Sequence, residues 1–175
     1  MKIGLISDTH SYLDERVFFH FENCDEIWHA GDVGDIGLLE KLSSFKPVRG
    51  VYGNIDDQKI RSMLPLDLSF NIEGLAVYML HIGGSPPHYA KGVKSKLKEV
   101  QPQLFICGHS HILKVMPDHQ LNKMLYMNPG AAGHHGFHKV RTLLRFEITA
   151  GKIHHLEVIE LGLRGKEKAP TSQGL

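Results

Sequence analysis

The chain has 175 residues, a length that suits one domain with a sizeable core. Apolar residues make up 42%, charged residues 22%, and the formal net charge is +1, so no overall field draws the chain to nucleic acid or an anionic membrane. Two cysteines, Cys24 and Cys107, form no CxxC pair, which argues against a zinc ribbon or disulfide framework and suits a reduced, cytoplasmic setting.

"MKIGLISD" has an apolar run too short for a signal peptide, and Asp8 ends it. No segment approaches the roughly 18 apolar residues of a membrane span. "KIGLIS" reads as a short buried strand, and Asp14 is placed to cap a helix through "ERVFFHFEN". "EIWHAGD" is a second strand, "IGLLEKLSS" a helix closed off by Pro47, and "VRGVYGN" a third strand. This β-α-β-α-β order predicts a parallel sheet with crossover helices. "LDLSFNI" and "LAVYMLHIGG" then flank a Glu73-Gly74 turn as an antiparallel hairpin. "KGVKSKLKEV" is an amphipathic helix, its four lysines a solvated face, and "LFICGHSH" is another buried strand. The rest is β: "ILKVMP" with "KMLYMNPG", then "RTLLRFEI" with "KIHHLEVIEL". The expectation is one α/β domain over residues 1–162, with two sheets and outer helices, followed by a polar tail over 163–175.

Chemistry gathers where these strands end. Asp8 and His10 follow the first, Asp32 the second, Asn54 the third; His81 closes the hairpin strand, and His109 and His111 follow "LFIC". Ligands of α/β sheets collect at the carboxyl ends of strands, and adjacent glycines let the backbone approach closely. Seven oxygen and imidazole donors without a thiolate suit Mn, Fe, Ni, Co or Zn. They exceed the needs of one tetrahedral ion and suit two ions sharing a carboxylate. If "GHSH" is extended, His109 and His111 lie on one face and each reaches a different ion.

Each residue alone has an ordinary role. His81 is then a core histidine, Asp8 belongs to a helix-entry turn, and the Gly-Asp pairs are plain turns. Together, "DTH", "GDVGD", "GN", the His81 strand end and "GHSH" resemble the calcineurin-like metallophosphoesterases, over roughly residues 1–160. The similarity is to the small group that holds the YfcE-like phosphodiesterases and shares its fold with Vps29. "NPG" at Asn128–Gly130 also matches a turn of that group.

The resemblance implies a four-layer αββα sandwich of two mixed sheets flanked by helices. It implies that Asp8, His10 and His111 bind a first metal, that Asn54, His81 and His109 bind a second, and that Asp32 bridges both. Two divalent ions, Mn2+ foremost, would activate a water for phosphodiester hydrolysis, with monoesters as further substrates. Asp32, Asn54 and His109 are the expected catalytic residues. Where many members read Gly-Asn-His-Glu, this chain reads Gly53-Asn54-Ile55-Asp56, so leaving-group assistance by that histidine is lost. His134 and His135 are candidate substitutes, and Asp56 a candidate acceptor orienting a ligand histidine. Trp28 is expected in the core beneath the site, His29 carries no metal, and the adjacent pair His154 and His155 is read as structural. The expected partner is a small phosphoester, with neither membrane nor nucleic acid, and a homo-oligomer left open. The rival reading is a non-catalytic, Vps29-like scaffold; a full ligand set favours the enzyme.

Overall fold

A computed structural model describes residues 1–165; residues 166–175, most of the expected tail, lie outside them. The elements run β1 (Lys2–Ile6), α1 (Arg16–Phe21), β2 (Glu26–His29), α2 (Ile36–Phe45), β3 (Val48–Gly50) and α3 (Gln58–Met63). Then come β4 (Asp67–Ile72), β5 (Leu75–Leu80), β6 (Gly84–Ser85), β7 (His88–Tyr89), α4 (Val93–Val100) and β8 (Leu104–Ile106). Four strands finish the chain: β9 (Leu113–Asp118), β10 (Met124–Pro129), β11 (Val140–Thr149) and β12 (Lys152–Leu163).

Two five-stranded mixed sheets result, ordered β12-β11-β1-β2-β3 and β4-β5-β8-β10-β9. In the first, β1, β2 and β3 are parallel and β11 runs antiparallel to β1. In the second, β5, β8 and β10 are parallel, with β4 and β9 antiparallel at the edges.

Strand periodicity builds the layers, because successive side chains face opposite sides. Leu5, Trp28 and Leu144 of the first sheet meet Val77, Leu104 and Ile106 of the second in a dry central layer. Their neighbours Ile6, Ile27 and Leu143 point outward and pack against Val17 and Phe21 of α1, Leu38, Leu39 and Leu42 of α2 and Ile60 of α3. Phe105 and Tyr126 point out of the second sheet onto Val93 and Leu97 of α4. Each such apolar side chain, fully buried, contributes about 1.5–3 kcal/mol. The architecture is the four-layer αββα sandwich. Trp28 lies in the central layer as expected, edge-on to Phe70 and Phe146.

Several local expectations change. The third strand stops at Gly50, and "VYGN" leaves the ladder to enter the site. Helix α3 has a legible start that the sequence reading passed over: Asp57 accepts hydrogen bonds from the N–H groups of Lys59 and Ile60, a side-chain cap. The two-residue ribbon of β6 and β7 was also unforeseen. Asp14 does more than enter helix α1, whose cap position is Glu15. Its carboxylate accepts from the Arg16 backbone, the Arg16 guanidinium and the buried Arg141. His154 and His155 are both exposed on the edge strand β12, outside the core.

Candidate metal centre

The parallel strands deliver their carboxyl-terminal loops to one edge of the sandwich. Short backbone bonds lock these loops together: Asp8 N–H to Gly31 O (3.0 Å), His10 N–H to Asp32 O (3.0 Å) and Gly108 N–H to His81 O (3.1 Å). The chain must turn sharply at each strand end. Among the described residues twelve non-glycine positions have positive φ, and five of them are Asp8, His10, Asp32, His109 and His111. Left-handed backbone costs about 1–3 kcal/mol per residue and gathers where function requires a side chain to be aimed.

"GHSH" is therefore not extended. His109 (φ 67°) and His111 (φ 58°) sit in left-handed turns, and this twist, rather than a shared strand face, sends the two imidazoles to separate groups.

The first group is Asp8, His10 and His111, the second Asp32, His81 and His109; within each, one ligand atom per residue lies within 4.8 Å of the others. In the first, His111 Nε2 is 3.2 Å from Asp8 Oδ1 and 3.4 Å from His10 Nε2. In the second, His81 Nε2 is 3.2 Å from Asp32 Oδ1. Asn54 joins it, its Oδ1 lying 3.2 Å from His81 Nε2 and 2.9 Å from His109 Nδ1. Asp32 faces both groups, its other oxygen lying 3.5 Å from His10 Nε2.

Both carboxylates are buried, and their field governs the imidazoles. Burial alone would lower the His81 pKa, but the bond to Asp32 and the charges of Asp8 and Asp32 raise it. The hydrogen bond with Asp8 raises that of His111 against its burial. Burial lowers that of His10, which Asp32 and Asp8 only partly offset. Burial would raise the Asp32 carboxyl, yet the hydrogen bond and charge of His81, with the Ile55 N–H and His10, hold it below its usual value. Buried anions that gather positive charge onto converging imidazoles are the environment that divalent cations answer. The donor types present, in two candidate groups, fit divalent metal ions.

Residues 1–151 match the calcineurin-like phosphoesterase superfamily domain. The chain belongs to this superfamily. It is 32% identical over 140 residues to a probable metallophosphoesterase of Methanothermobacter thermautotrophicus, across 75% of this chain and 77% of that one. A solved archaeal phosphodiesterase superposes with a TM-score of 0.74 at 20% identity, covering 92% of this chain and all of the other (100%). Zinc-complexed Vps29 of Entamoeba histolytica superposes with a TM-score of 0.69 at 17% identity, covering 91% and 99%. The last two likenesses establish the fold.

In this calcineurin-like site, the contacts that hold the ligand loops in place leave little mark on the sequence. His81 Nδ1 donates to Ala30 O (2.8 Å), which directs Nε2 to the second group. The Asp56 oxygens accept from the N–H groups of Gly34 and Gly53 (2.7 Å each) and tie the Asp32 and Asn54 loops together, and the charge of Asp56 bears on the buried His29. A side chain at Gly53 would run into the Asp32 carboxylate, and one at Gly31 (φ 97°) into the His81 ring. His29 is buried: its Nδ1 accepts from Gly31 N–H, so Nε2 donates to Thr9 Oγ1. Asn128 was read only as part of a turn. It is fully buried and holds the histidine loop, donating to Gly108 O (2.8 Å) and Ser110 Oγ (3.1 Å) and accepting from Gly130 N–H (2.9 Å). A polar residue inside an apolar strand, two residues before a glycine, was the available signal. Burial pushes the thiols of Cys107 and Cys24 up to about 12 and about 11, which removes both as nucleophiles.

A cleft of about 450 Å³ opens over the two groups. His135 and Ile55 line it, and the His135 ring lies 4.6 Å from that of His10. His134 does not line it: its ring lies tilted against that of Tyr12, centroids 3.9 Å apart, and its Nδ1 donates to Arg164 O. Of the two substitutes expected for the absent histidine, only His135 faces the cleft. Among the described residues no helix is long and apolar enough to cross a membrane.

Proposed function

We propose that this chain is a two-metal phosphodiesterase, with Asp8, His10 and His111 holding one ion, Asn54, His81 and His109 the other, and Asp32 bridging them. The observation that carries the reading is the position of Asp32, whose two oxygens face the two groups separately. Nitrogen and oxygen donors suit Mn2+, Fe, Zn, Ni or Co, and Mn2+ is the ion we take first.

Two divalent ions held by these residues would lower the pKa of a bound water and offset charge on the phosphoryl oxygens. The protein contributes position. Ala30 fixes the tautomer of His81, and the Gly108–Asn128 bond fixes the loop that aims His109 and His111. Asn54 turns its oxygen to the histidines, which leaves its NH2 for a phosphoryl oxygen. Hydrolysis joins a water oxygen to phosphorus and breaks one P–O ester bond, releasing an alcohol and a monoester. Ile55 offers the leaving group no proton, so good leaving groups are the better substrates. His135, which lines the cleft, is the side chain we assign to protonating the departing oxygen.

The test uses chelator-stripped protein assayed on bis-p-nitrophenyl phosphate and p-nitrophenyl phosphate with Mn2+, Ni2+, Zn2+, Co2+ or Mg2+ added singly. Metal-restored cleavage that is lost in Asp32→Ala and His81→Ala supports the enzyme. Two ions bound per chain without turnover of either ester favours the scaffold reading, in which the fold serves as a binding platform.

A further inference from the structure

Two clefts, not one, open beside the metal centre, and Asn54 lines both. The first is the one already described; beyond its imidazoles it exposes Ile112 and Phe137. The second measures about 280 Å³ and holds His81, Tyr52, Arg61, Leu66 and Ile82. Leu66 and Ile82 are 56% and 41% exposed, large aliphatic surfaces left in water next to a charged centre. Apolar walls around a few fixed polar groups are what small-molecule sites present.

Arg61 gives the second cleft its charge. Its Nε donates to Asp56 O (2.7 Å), its Nη2 to Asn54 O (3.3 Å), and the guanidinium lies over the Tyr52 ring at 5.0 Å. This holds a fixed cation behind Asn54. An anionic centre flanked by an apolar group on each side matches the sequence of surfaces: Ile112 and Phe137, then the metal groups with Asn54, then Arg61, Leu66 and Ile82.

We propose that the second cleft is the subsite for the second organic group of a phosphodiester. Resting on the phosphoesterase reading above, this makes the substrate class a phosphodiester with an apolar or aromatic group on both sides of phosphorus. A monoester or a methyl ester leaves the second cleft empty.

The experiment compares bis-p-nitrophenyl phosphate with methyl p-nitrophenyl phosphate on the metal-loaded full chain. Both carry one negative charge and the same leaving group, and dividing each kcat/KM by that ester's rate of hydroxide hydrolysis removes the electronic effect of the second aryl group, so the normalised ratio isolates contact with the second arm. Normalised wild-type kcat/KM is expected to favour the bis-aryl ester by about tenfold, beyond the statistical factor for two equivalent leaving groups, as suits an apolar subsite contact. Leu66→Ala, at an exposed loop position that tolerates truncation, is expected to bring the two esters to near parity. Its metal content per chain reports that the centre is intact. Equal normalised rates in the wild type overturn the proposal, and so does a preference that survives Leu66→Ala. Absence of metal-dependent cleavage of either ester overturns the phosphoesterase reading and this subsite with it.

Discussion

Asp32→Asn is the substitution that separates the two metal groups from a mere cluster of polar residues. It keeps the shape of the side chain and removes the charge that faces both groups. Its effect can be worked through ligand linkage, without turnover. An ion at a hundred times its dissociation constant stabilises the folded chain by about 2.7 kcal/mol, so two independent ions contribute about 5 kcal/mol. For a domain of this size, about 2–4 °C of melting temperature accompanies each kcal/mol, so saturating metal should raise Tm by about 10–20 °C over chelated protein. Losing a partner one shell further out already weakens metal binding up to about a hundredfold, which sets a floor for losing a donor. At the same metal concentration each ion then contributes only about 0.4 kcal/mol, and the shift falls to about 2–3 °C. Thermal unfolding of wild type and Asp32→Asn, each with chelator and with Mn2+, reads this directly. Asp14→Asn, whose carboxylate bonds Arg16 and Arg141 rather than a site residue, is the control that should melt lower yet keep the full shift. An Asp32→Asn protein with the wild-type shift would refute the shared-carboxylate reasoning.

Two further outcomes follow from the same contacts. Asp14 bridges helix α1 to the buried Arg141 of β11, so Asp14→Asn leaves a guanidinium buried without its anion and should cost about 3 kcal/mol at neutral pH by urea unfolding. Hydrogen bonds from Arg16, then from Arg141, hold this carboxyl well below its usual range despite burial, so its contribution is complete above the unfolded value of about 3.9 and shrinks as pH falls toward the depressed folded value. The gap between wild type and Asp14→Asn should thus be constant from pH 8 to pH 5 and narrow below about pH 4; a gap that widens in acid contradicts this. Asn128→Ala removes the hydrogen bonds to Gly108, Ser110 and Gly130 from a buried site, and should cost about 2–3 kcal/mol and loosen metal binding about 10–100-fold, read by unfolding and by metal titration. Unaltered affinity would show that the histidine loop keeps its shape without Asn128.

The sequence alone carried the order of most elements, because strand alternation, helix periodicity and Gly or Pro punctuation are local signals. It also carried the seven residues that converge at the candidate site, since they follow apolar runs, and a strand end is visible in one dimension. The three-dimensional arrangement decided what no local signal holds. His10 and His111 are a hundred residues apart in the chain, yet their Nε2 atoms lie 3.4 Å from one another, because two separate sheets stack with their loops at one edge. The left-handed turns at His109 and His111 override the strand geometry that simple alternation suggests. Asp56 and Asn128 bind backbone atoms of other loops, and hydrogen bonds to backbone leave no residue-type signature in the partner. The second cleft is likewise a product of packing. Leu66 and Ile82 flank opposite ends of the β4–β5 hairpin, and antiparallel pairing is what brings those ends side by side, next to Asn54.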